Sequence, residues 1–119
     1  MEFPVELDIE RPADRLKITF RGQERELFMS FLRLNSCLGV LGSPEALPSM
    51  LLDPNISEMT LQILLADKAG GEDLFQVELG EEDLTTEDAD RVLCWAQEHL
   101  SYFFLKRFQQ MAGQSQALE

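Results

Sequence analysis

The 119-residue sequence has one histidine, one tryptophan, one tyrosine, two cysteines, and fewer than half as many basic as acidic residues. Each shortage excludes something. His99 is the single imidazole, so any Ser-His-Asp or Cys-His relay must pass through it. On a helix its neighbours are Trp95 and Tyr102, and neither is a nucleophile. Cys37 and Cys94 stand 57 positions apart, too far for a CxxC or zinc-ligand pattern, and read as two reduced, partly buried thiols. No dinucleotide fingerprint, Walker loop or HExxH motif occurs. The carboxylates of 81–90 lack the spacing and the loop glycine of a calcium-binding EF-hand. The expectation is a non-enzymatic protein with no cofactor and no metal.

No run of 18 or more apolar residues exists, so no segment reads as a membrane span. The opening MEFPVELDIE carries acids and has no apolar stretch of the secretory kind, which makes a cytoplasmic protein the expectation. Ten basic against 22 acidic residues give a net charge of −12. That charge repels phosphate backbones and anionic lipid, so neither nucleic acid nor membrane is expected as a partner. Residues 72–90 hold nine acids and no base, three-quarters of the net charge. They read as a solvated acidic lead into a helix.

What is present is hydrophobic pattern. The length suits one domain, taken as residues 1–112, with 113–119 as a polar disordered tail. VELDIE (5–10) and RLKITF (15–20) alternate apolar and polar residues. RPAD and RGQ are turn-formers, and ERELF supplies a return arm. The pattern predicts a small antiparallel β-meander of three strands with one apolar face.

LFMSFLRLNSCLGVLG (27–42) has ten apolar residues among sixteen and a single charge, Arg33. Helical spacing from a Ser30 cap places Phe31, Leu34, Cys37, Leu38 and Leu41 on a core side, with Leu32, Ser36 and Val40 off it. Gly39, Gly42 and Pro44 mark its end. SPEALPSMLLDP is a short turn between prolines. In NISEMTLQILLAD, Asn55 and Glu58 have capping-box spacing. Ile56, Met59, Ile63 and Ala66 take one face there and Leu61, Leu64 and Leu65 another, so this helix must be covered on two sides. LFQVEL has the period of a short strand.

The last helix is capped at Thr85 or Thr86 and runs to about Met111, with Glu87, Asp88 and Asp90 at its start and Lys106 and Arg107 near its end. Its apolar face is Ala89, Val92, Leu93, Ala96, Leu100, Phe103, Phe104, Phe108 and Met111. The fold class is thus α+β: a meander packed by three to four helices, ending in a long one.

These helices carry more apolar surface than one core absorbs. Leu32, Val40, Trp95, His99, Tyr102, Leu105 and Lys106 are the residues expected to meet a partner, since aromatics with polar tips are favoured at such contacts.

RLKITFRGQERELFMSFLRLN (15–35) resembles the opening of tail assembly chaperones of long-tailed bacteriophages. The corresponding features are Leu16, Ile18 and Phe20, the turn at Gly22, and the run from Phe31 to Asn35. LTTEDADRVLCWAQEHLSYFFLKR (84–107) is similar to the C-terminal helix of that family. The resemblance covers about two-thirds of the chain; residues 67–83 have no place in it. It implies a self-associating protein of the host cytoplasm, absent from the mature virion. Such a protein covers the apolar helical tape-measure protein and then hands it to the tail tube protein. Two other readings stay open: an acidic dimeric secretion-effector chaperone that holds an extended client, and an acidic inhibitor that mimics DNA.

Overall fold

The computed structural model describes residues 10–66, 79, 80 and 82–117, the last five of these by their backbone alone. The expected first strand (5–10) and the LFQVEL strand fall almost wholly outside the described residues. Glu10 and Leu79, the two residues of these stretches that are described, belong to no strand. What is seen of the sheet is one antiparallel hairpin, β1 (Arg15–Phe20) and β2 (Gln23–Phe28), in register from Arg15↔Phe28 to Phe20↔Gln23. Its two-residue turn puts Arg21 at φ 53° and Gly22 at φ 76°. A type I′ turn needs positive φ at both positions, because that geometry follows the twist of the strands. Arg21 is held there by Asp83: its N–H donates to the Asp83 carbonyl (2.8 Å) and its Nε to the carboxylate (3.2 Å).

The alternation seen in the sequence becomes burial. Ile18, Phe20 and Leu27 point into the core, while the opposite face of the hairpin carries Arg15 and Glu26 paired across the strands at 2.9 Å. At the outer edge of β1 the Thr19 N–H donates to the Asp88 carboxylate (3.2 Å), which also pairs with Arg91 at 3.1 Å.

Helix α1 (Phe31–Leu41) opens at Ser30, whose Oγ accepts from the Arg33 N–H, and closes at Gly42 with φ 86°. A short 3-10 turn (Pro44–Ala46) and α2 (Ser49–Leu52) lead into α3 (Pro54–Leu65). Capping-box spacing at Asn55 and Glu58 misplaces the start of α3. Asp53 is the cap, accepting from the N–H groups of Asn55 (2.9 Å) and Ile56 (3.4 Å). Pro54 fills the first helical position, where a missing N–H costs nothing. Leu61, Leu64 and Leu65 are buried on one side of α3 and Ile63 and Ala66 on the other, but Met59, expected on that second side, is 37% exposed, so its cover is only partial.

Helix α4 (Thr86–Ala117) begins at Thr85, whose Oγ1 accepts from the Asp88 N–H at 3.1 Å. It continues through 113–117, which the sequence reading assigned to the tail. No proline stands in its way, and extending an existing helix adds a hydrogen bond for each residue fixed. At ~1.5 Å per residue, 32 residues reach ~48 Å. The radius of gyration is 16.0 Å, against about 13.5 Å for a compact chain of this length. The protein is long in one direction because α4 outruns the body.

The core joins Ile18, Phe20, Leu27 and Met29 of the hairpin region to Cys37, Leu41, Met50, the end of α3, and Val92, Leu93, Trp95, Ala96 and Leu100 of α4. Phe31 is a correction. Placed on the core side by spacing, it is 63% exposed, because the stripe of α1 that meets the core starts only at Leu34.

Candidate functional site

An apolar groove lies between the N-terminal end of α1 and the middle of α4. Met29 and Leu34 form one wall, Tyr102 and Phe103 the other, and Phe31 stands at its mouth. Ser30, His99, Lys106, Arg11 and Asp14 complete the lining of this space of about 250 Å³. That is below the ~300–1,000 Å³ usual for small-molecule sites and suits a few side chains of a larger partner.

Each wall is built by local chemistry. Ser30 starts α1 immediately after β2, which throws Phe31 outward at the first helical position. The other wall is fixed by the Ala13 carbonyl. The Trp95 indole N–H donates to it at 2.7 Å, and His99 Nε2 lies 2.9 Å from the same oxygen. A carbonyl can only accept, so His99 carries its proton on Nε2. The two rings also meet edge to face, centroids 5.3 Å apart. Lys106 places its ammonium 5.5 Å from the Tyr102 ring centre, at the rim. Arg11 and Asp14 pair across 3.2 Å at the other rim and screen each other, which leaves Lys106 as a cationic lip.

The residues expected to meet a partner divide into three groups. Tyr102 and Lys106 line the groove, and Tyr102 is half-buried. His99 also lines the groove, but it and Trp95 are only 7% and 6% exposed, and both turn inward to tether the carbonyl of Ala13. Their polar tips are used up by a backbone carbonyl more than 80 residues away in sequence. Leu32 is 54% exposed but lies off the groove, Val40 packs partly against the core, and Leu105 is half-buried on another side of α4. Sequence reasoning missed Phe31, Met29, Leu34 and Phe103 as groove residues. The signal was the pair of short apolar runs, FMSFLRL and YFFL, each longer than a single core stripe needs.

Cys37 is sealed beneath α1, and burial pushes its thiol up to about 12, against a smaller downward pull from Arg33. Asp83 is held below the usual carboxylate range, first by the Gly80 N–H at 2.9 Å and then by Arg21. Neither group lines the groove. Among the described residues no three of His, Cys, Asp and Glu gather as a metal site, and no helix is long and apolar enough to cross a membrane.

Compared with family models, curated proteins and solved structures, the chain matches none.

Proposed function

We propose that this protein is a binding chaperone of the tail-assembly kind, which holds an apolar helix of its client against the groove between α1 and α4. The observation that carries this reading is Phe31. It is 63% exposed beside Tyr102 and Phe103. An aromatic left in water at the mouth of an apolar groove is placed to close over a side chain arriving from outside. A helical client would insert residues spaced three and four apart, and Lys106 would favour one carrying an acid at that rim. The acidic exterior keeps the loaded protein soluble and disfavours acidic competitors.

The resemblance of residues 15–35 and 84–107 to phage tail assembly chaperones supports the tape-measure protein as client and the tail tube protein as the next recipient. Self-association and a place in the host cytoplasm belong to the same reading.

Co-expression tests it. Apolar helical fragments of a tape-measure protein should stay soluble with this chain and aggregate with its Phe31→Asp variant. The fold of the variant is checked by the fluorescence of Trp95. Fragments that aggregate equally with both proteins would overturn the proposal. Retention of extended peptides and rejection of helical ones would favour the secretion-effector reading.

A further inference from the structure

Three sets of large apolar side chains are left exposed among the described residues. Phe28, Phe31 and Leu32 lie with two cations: the Arg15 guanidinium stacks on the Phe28 ring at 4.9 Å, and Arg33 donates to the Phe28 carbonyl. Leu51, Leu52 and Met59 belong to the corner where α2 turns into α3. Phe108 and Met111 are on the part of α4 that outruns the body. The corner and the projecting helix end are opposite in charge.

Local sequence accounts for the corner. Leu52 precedes the Asp53 cap of α3, a position from which an apolar residue often packs on the fourth residue of the helix. That residue is Ser57, and its hydroxyl donates to the Met50 carbonyl at 2.6 Å. Leu52 is left without that apolar mate and is 80% exposed. The charges of residues 34–66 are Glu45, Asp53 and Glu58, three acids and no base. On α4, Phe104, Phe108 and Met111 succeed one another by four and three, so they form one stripe ~10 Å long with Arg107 beside it. Residues 100–118 hold Lys106 and Arg107 and no acid. The stripe lies on the side of α4 opposite Tyr102, the groove residue.

We propose that the projecting end of α4 docks on the α2–α3 corner of a second copy, with Phe108 and Met111 meeting Leu52 and Met59 and Arg107 meeting the acids around them. Both sets are exposed together in the single chain, so the occupant is another copy. A spacing of four and three is the one by which a helix enters an apolar surface. Charge selects the pairing. Two α4 ends together would oppose cations with cations, and two corners acids with acids. Against the Phe28 set, Lys106 and Arg107 would face Arg15 and Arg33. The contact uses the face of α4 away from the α1–α4 groove and does not rest on the function proposed for that groove.

Mixed disulfide trapping in the full chain tests the contact. Leu52→Cys and Met111→Cys are made in separate chains, each in a Cys94→Ser background, and oxidised as an equimolar mixture. Both replaced side chains are mostly exposed and Cys37 is buried, so each variant keeps the fold and offers one accessible thiol. Random collision would leave the mixed dimer equal to the two same-variant dimers together. The mixed dimer should instead exceed them severalfold. Arg107→Glu on the Met111→Cys chain should remove most of that excess, and Glu58→Lys on the Leu52→Cys chain should restore part of it. A statistical mixture, or an excess of either same-variant dimer (paired α4 ends or paired corners), would overturn the contact. So would an excess untouched by Arg107→Glu, or a loss that Glu58→Lys does not restore.

Discussion

Arg33, in the first turn of α1, places Nη2 2.7 Å from the carbonyl of Ala66, the residue that closes α3. The same guanidinium reaches the Phe28 carbonyl with Nη1 at 3.3 Å. One cation thus ties the end of β2, the start of α1 and the negative end of the α3 dipole together. Half-buried and charge-assisted, the contact to Ala66 is the kind that matters: removing such a partner typically costs ~1.5–3 kcal/mol. Arg33→Ala should lower the urea midpoint by that order. Arg33→Lys should recover only part of it, since an ammonium lacks the fork that spans two carbonyls.

The two cysteines should behave as opposites. Cys94 is exposed and Cys37 buried. A thiol reagent at pH 8 should label one site per chain quickly and the second only when urea unfolds the protein. Above pH 9 the unfolded chain loses the Cys37 proton while the folded chain keeps it up to about 12. Stability should therefore fall as pH rises through that window, by at most ~1.4 kcal/mol per unit from this group. Cys37→Ala should lower the baseline stability and flatten that slope, read as urea unfolding at pH 8 and pH 10.5.

Two glycines should respond to alanine in opposite directions. Gly39 lies inside α1 with open space where a Cβ would go. Gly39→Ala should stabilise the protein by about 0.8–1 kcal/mol. Gly22 also has open space, but its φ of +76° disfavours any side chain. Gly22→Ala should destabilise by about 1–2 kcal/mol. Thermal melts of the pair against the parent decide it.

Trp95→Phe keeps the ring volume near enough but removes the indole N–H that holds Ala13. The expected loss is about 1 kcal/mol of stability. Amide exchange should also quicken at Asp14 and its neighbours, relative to β2. Unchanged exchange there would mean that His99 alone suffices as the tether.

The sequence told most where chemistry is local. Ser30, Gly42 and Thr85 were legible as helix ends because capping depends on residues within a turn of one another. The alternation of Leu16, Ile18 and Phe20 likewise predicted the inner face of β1. Asp53 was overlooked because Asn55 and Glu58 offer a rival cap two residues on, and only Pro54 at the first helical position argues against it. The roles of Trp95 and His99 were unreadable because their partner is a backbone oxygen, which no residue type advertises. Phe31 was misjudged because periodicity names a face without saying how far the body beneath it extends. Phe108 and Met111 show the same effect at the other end of the chain.

The carboxylate of Asp88 bears on how this protein behaves at high concentration. By occupying the Thr19 N–H it removes one of the outward donors on the margin of β1 that an incoming strand would use. Lys17, exposed along the same margin, adds a charge that a second such margin would have to bury. Copies of this chain are thereby steered away from cross-β stacking.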